Sequence, residues 1–102
     1  MEVQKGDIVQ SINGRDKGRA LFVMEVQDEY LILVDGKSRK LETPKRKKQK
    51  HCKFLVRGNC RVAEKFLEGK KVLNSEIRKA LAIFNKEYEE AGLARGQEDG
   101  ER

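Results

Sequence analysis

The apolar residues of this chain change their period once, near residue 58. Before that point they recur at every second position in short runs separated by turn formers, the pattern of half-buried β-strands. Beyond it they recur at every third or fourth position, the pattern of amphipathic helices. A chain of 102 residues closes one core rather than two. Strands and helices must share that core, and the expected class is mainly β plus α.

In the first region Ile8, Gln10 and Ile12 alternate with Asp7, Val9 and Ser11, and Asn13-Gly14 ends the run. Ala20 to Gln27 is richer in β formers and apolar on both sides. Asp28-Glu29 reverses the chain into Tyr30 to Val34. Asp35-Gly36 reads as a two-residue hairpin turn, because type I′ turns need positive φ at both centres. It would return the chain along Lys40 to Thr43, and Pro44 would end that strand because proline cannot donate to a ladder. Cys52 to Arg57 supplies a last short strand. Five strands this short cannot bury a flat sheet without a second layer, whereas a strongly curled sheet closes on itself. The expectation for residues 1–57 is a small β-barrel with a basic loop at 44–51.

In the second region Asn59 can cap a short helix with Val62, Ala63, Phe66 and Leu67 on one face, and Gly69 can stop it in the left-handed conformation. A longer helix is expected from about Ser75 to Ala91, capped by Asn74 or Ser75 and stopped by Gly92, with Ile77, Ala80, Leu81, Phe84 and Tyr88 in one stripe. This helical extension, 58–92, either covers an open face of the barrel or offers helix 75–91 to a protein partner. Residues 93–102 have no periodic apolar content and are expected to be a disordered tail.

Only 37% of the residues are hydrophobic against 39% charged, so the core must be small. The formal net charge of +6 lies wholly in the first sixty residues, with 14 basic and 8 acidic side chains; the remainder is balanced at nine each. From Lys37 to Lys53 nine basic residues meet a single acid, Glu42. Such a run can be a plain solvated face or a nuclear import signal. Its self-repulsion is best relieved by an anionic partner, which favours a phosphate-binding surface. No apolar run approaches the roughly 20 residues of a membrane span, and Met1-Glu2-Val3-Gln4-Lys5 is not laid out as a signal peptide. A monomeric cytoplasmic protein without membrane contact is expected.

Candidate catalytic chemistry is sparse. His51 is the only histidine, and the positive field of its neighbours disfavours its protonated form; contact with RNA or solvent suits it better than general-base work. Cys52 and Cys60 lack the short spacing of zinc knuckles and, with His51, supply at most three ligands. Glu68-Gly69-Lys70-Lys71 is no phosphate loop, because Glu64 stands where that motif needs glycine and Val72 where it needs Ser or Thr. No enzyme activity, metal or cofactor is expected.

The most specific segment is Gly14-Arg15-Asp16-Lys17-Gly18-Arg19, set between Gly6-Asp7-Ile8-Val9 and Ala20-Leu21-Phe22-Val23-Met24-Glu25-Val26. Glycines at each end suit a tight loop, with basic residues projecting between two strands. The segment resembles the KOW motif, in which a glycine-and-lysine loop precedes an alternating strand, and Gly18 matches its signature glycine. Through Tyr30, Asp35-Gly36-Lys37, Arg39 and Pro44-Lys45-Arg46-Lys47-Lys48, residues 5 to 57 look more narrowly like bacterial KOW proteins related to an archaeal and eukaryotic large-subunit ribosomal protein.

The resemblance implies an SH3-like barrel that binds RNA, ribosomal RNA first, and associates with the ribosome without enzymatic activity. An alternative it allows is a protein-interaction module of a transcription or translation complex, with the long helix as contact. A duplex-DNA binder would share the electrostatics, although Glu87, Glu89 and Glu90 unsuit that helix for a groove. Gly14 and Gly18 would shape the loop. The RNA-binding residues expected there are Arg15, Lys17 and Arg19. Lys37, Arg39 and Lys40 would join them from the next loop, and Lys45, Arg46, Lys47, Lys48, Lys50 and His51 from the basic run. Lysines would meet phosphates as point charges, and arginines could also fork onto phosphates or stack on bases. Tyr30 is the best candidate for an exposed stacking aromatic.

Overall fold

In the computed structural model, which describes residues 2–91, five antiparallel strands form one sheet. They are β1 (Ile8–Ser11), β2 (Ala20–Gln27), β3 (Tyr30–Val34), β4 (Lys45–Lys48) and β5 (Cys52–Val56), in the spatial order β4-β3-β2-β1-β5. Two helices follow, α1 (Arg61–Glu68) and α2 (Asn74–Glu90). A short 3-10 turn, Gln49–His51, joins β4 to β5.

Cross-strand pairs sort the side chains onto two faces. Val9, Leu21, Val23, Leu31 and Leu33 form one buried cluster. Ile8, Ala20, Phe22 and Val34 point the other way and pack with Val62 and Phe66 of α1, Val72, and Ile77 and Leu81 of α2. Both faces of the central strands are therefore covered, which is why all four residues of β1 are buried instead of alternating with solvent. The expected half-buried first strand is corrected accordingly, and Ile12 falls outside it, exposed. A bulge between Val23 and Glu25 breaks the β2–β3 register. It places Met24 beside the helix-side cluster and sharpens the local bend.

The barrel expected from the sequence is not closed. β4 and β5 stand at opposite ends of the strand order and share no ladder. The sheet nevertheless curls: the Lys47 ammonium of the edge strand β4 reaches the carbonyl of Asn13, just past β1, while Ile12 N–H to the His51 carbonyl extends the neighbouring β1–β5 ladder by one rung.

The stretch 40–44 is also corrected. Lys40 to Thr43 is not the returning strand; residues 35–44 form a longer loop, and β4 begins just after Pro44. Leu41 packs on the helix-side core, and its N–H donates to Asn74 Oδ1 at 2.9 Å. That burial draws the segment away from β3. Pro44, with no N–H to lose, stands before the ladder rather than ending it. The basic segment 44–51 is thus an edge strand and a helical turn instead of a loop.

α1 starts one residue later than Asn59 would set it, with Cys60 as N-cap and no side-chain cap bond. Gly69 ends it at φ 72°, as expected. Leu67 faces solvent rather than the core. α2 is capped at Leu73, whose N–H donates to Glu76 Oε1, so neither Asn74 nor Ser75 is its cap. The stop at Gly92 and the tail 93–102 lie outside the described residues.

A buried carboxylate fastens the chain ends of the strand region together. Asp7 is 1% exposed and accepts from Gln4 N–H, Gly58 N–H and Arg57 Nη1 at 2.7 to 3.1 Å. Three donors satisfy a group that would otherwise be expensive to bury.

Candidate nucleic-acid interface

Two loops carry five exposed cations, Arg15, Lys17, Arg19, Lys37 and Lys40, and internal ion pairs shape both. The β1–β2 loop, residues 12–19, is closed by Gly18 N–H to Ser11 O and by Arg19 N–H to Asp16 O. Gly14 and Gly18 both sit at positive φ, 78° and 89°, as the loop reading requires. In the loop after β3, Asp35 Oδ1 accepts from the backbone N–H of Lys37 and of Arg39, and Asp35 Oδ2 accepts from Ser38 Oγ. Asp35 itself lies outside the left-handed region, so the turn is an Asp-organised loop rather than a two-residue hairpin.

The loops are tied to each other. Arg39 forks onto Asp16 through Nη2 at 2.9 Å and Nε at 3.4 Å. Arg19 Nη1 donates to Ser38 Oγ and lies 3.7 Å from Asp35 Oδ2. These contacts surround a cleft of about 260 Å³ lined by Arg15, Asp16, Arg19, Ser38 and Arg39. They also divide the expected binding residues by role. Arg39 and Arg19 serve the loops' own architecture first. Arg15, Lys17 and Lys37 are exposed and form no ion pair among the described residues.

The basic run divides by strand geometry. In β4, Arg46 and Lys48 pair with Ile32 and Tyr30, whereas Lys45 and Lys47 pair with Leu33 and Leu31, on the side of the inner cluster. Lys47 is therefore only 8% exposed, and its Nζ donates to Asn13 O at 3.1 Å. It braces the gap left by the unclosed barrel and is removed from the candidate phosphate contacts. Arg46 stacks on Tyr30, its guanidinium carbon 3.6 Å from the ring centroid, with Lys48 Nζ at 5.9 Å. The Tyr30 ring face expected to receive a base is thus already covered. Arg46, itself exposed, occupies that face in place of a base. Lys40 and Lys50 are exposed; His51 is half-buried, with its backbone carbonyl bonded to Ile12.

Two participants were not legible from the sequence. Asp16 looks like an interruption of a basic loop but organises it. Arg78 of α2 donates through Nη1 to Gly36 O at 2.6 Å and so joins the rim from the helical region. Its one sequence signal is its place beside the core residue Ile77, on the flank of the stripe. Among the described residues no group of three or more His, Cys, Asp or Glu could hold a metal ion. Burial pushes the Cys52 thiol up to about 11, which keeps it in the unreactive protonated form. No helix among those residues is long and apolar enough to cross a membrane. No model of a known protein family matches the chain, and no curated protein matches it.

Proposed function

We propose that the protein binds structured RNA, ribosomal RNA first, through the rim built by the β1–β2 loop, the loop after β3 and the outer side of β4. The observation that carries this reading is the division of labour among the cations. Asp16 and Asp35 hold the loops in place through Arg39, Arg19 and Ser38, and Arg15, Lys17 and Lys37 stand free around that frame. Arg46 and Lys48 extend the positive surface along the edge strand. Preorganised charges of one sign suit a rigid polyanion, since little ordering remains to be done on binding.

The KOW-type, SH3-like reading draws support from the curled five-strand sheet and the left-handed Gly18 before an apolar strand, and on that reading the unit would act as a monomer in the cytoplasm. A protein-docking role for α2 draws less support, because Ile77 and Leu81 of its apolar stripe are buried against the sheet.

Titration of a structured ribosomal RNA fragment across a salt series tests the reading. Five phosphate contacts, by Arg15, Lys17, Lys37, Arg46 and Lys48, give a log–log salt slope of about −4. Replacing Arg15, Lys17 and Lys37 together by Ala should lower its magnitude by about 2 to 3. Salt-independent binding, or an unchanged slope in the triple variant, would sink the proposal. Stronger competition by duplex DNA than by RNA would redirect it to DNA.

A further inference from the structure

The exposed flank of α2 faces the two basic loops across an open groove of about 520 Å³. Arg19, Asp35 and Lys37 line it from the loops, and Arg78, Ala82 and Asn85 from the helix. Resting on the RNA reading above, we infer that this groove receives one unpaired nucleotide of a structured RNA, its phosphate among Arg19, Lys37 and Arg78 and its base against Ala82 and Asn85.

Size, charge and chemistry support that occupant. The volume lies within the roughly 300 to 1,000 Å³ of small-ligand sites, enough for a nucleotide and too small for a duplex. Three cations face one acid, and the oxygens of that acid are already engaged by the backbone of Lys37 and Arg39, by Ser38 and by Arg19. The field in the groove is therefore positive. Arg78 is held in orientation by its bond to Gly36 O, and its remaining planar donors are left for a phosphate.

Asn85 supplies the selective element. Its Oδ1 is buried and has no hydrogen-bond partner, a rare condition for a buried amide oxygen. Asn85 is also one of the groove's lining residues, and a rotation about χ2 that brought its amide to a seated base would give this oxygen the partner it lacks. One acceptor beside two donors matches the edge of an adenine. Arg19 also lines the neighbouring cleft with Arg15 and Arg39, so phosphates on one side of the seated nucleotide would continue along the rim. Structured RNAs are most readily told apart at such splayed-out, unpaired bases.

The full chain is to be titrated with a fully paired RNA hairpin and with the same hairpin carrying one bulged adenosine. The expected result is binding of the bulged hairpin about tenfold tighter. Ala82→Glu, at an exposed helix position, should abolish that preference while the thermal melt stays unchanged, and Asn85→Ala should weaken it. Equal binding of both hairpins by the wild type, or a preference that survives in Ala82→Glu, overturns the nucleotide site and leaves RNA binding standing. Failure to bind either hairpin overturns the RNA reading itself, and this inference with it.

Discussion

Arg39 Nη2 lies 2.9 Å from Oδ2 of Asp16, and this fork joins two loops 23 residues apart in the chain. The Asp16 side chain is 6% exposed and that of Arg39 26%, so the pair is largely shielded from solvent. Asp16→Ala raises the net charge by one, and on a surface of loose charges RNA affinity would rise. We expect affinity to fall, because the freed loops must be reordered on binding. Stability should drop by about 1 to 3 kcal/mol. Urea melts with an RNA titration at one fixed salt concentration check both outcomes.

Lys47 and Arg46 are neighbours in sequence with opposite roles. Lys47→Met keeps the buried stem and removes the bond to Asn13 O. It should cost about 1 to 3 kcal/mol of stability and leave the salt slope of RNA binding unchanged. Arg46→Ala should reduce the magnitude of that slope by about 0.7 to 0.9. A slope that changes equally in both variants would contradict the assignment.

Two glycines separate close approach from backbone conformation. A Cβ on Gly58 would stand 2.0 Å from the Gly6 carbonyl oxygen, backbone that cannot step aside cheaply. Gly58→Ala should therefore destabilise by about 3 kcal/mol or more. At Gly18, φ is 89° with nothing within 4 Å of the added atom, so Gly18→Ala costs only the unfavourable conformation, about 1 to 2 kcal/mol. Chemical denaturation of the two variants should rank them in that order.

Acid should loosen the contact between the helices. Lys65 Nζ donates to Glu76 Oε2 at 2.6 Å, and this bond, with the Leu73 N–H, holds the Glu76 carboxyl below its ordinary 4.5. A folded-state value below the unfolded one gives stability that is present above 4.5 and lost as pH falls through the lower, folded value. The melting-temperature gap between wild type and Glu76→Gln should therefore narrow from about pH 5 downward. A gap independent of pH would show that the charge contributes nothing.

The Cys52 thiol should be slow to alkylate in the folded protein. Its rise from 9.0 to about 11 by burial leaves about a hundredfold less thiolate at pH 8 than in the unfolded chain. Mass spectrometry of the Cys52 peptide after iodoacetamide treatment, with and without denaturant, measures the ratio. Equal labelling in both states would show that the thiol is not shielded.

Much of the fold was legible because local pattern reports burial element by element. The strands Ala20–Gln27, Tyr30–Val34 and Cys52–Val56 and both helices stand within a residue or two of where periodicity places them. The strand at Lys45–Lys48 was hidden, because a row of four cations has no apolar alternation to betray a ladder. Leu41 misled in the opposite sense: its burial is under α2, not in a sheet. The loops of the candidate site were legible as basic and glycine-bounded, but the partners of each charge were not.

By itself, the sequence determined that a strand region gives way to a helical one near residue 58, that the excess positive charge lies before residue 60, and that Gly14 and Gly18 bound a basic loop. Only the tertiary structure decided that the barrel stays open, that Lys47 turns inward, and that Arg39 and Arg19 are held by Asp16 and Ser38. The reason is one of range. Periodicity records which side of a single element meets the core, whereas the freedom of a charge depends on distances between residues that the folded chain brings together from far apart.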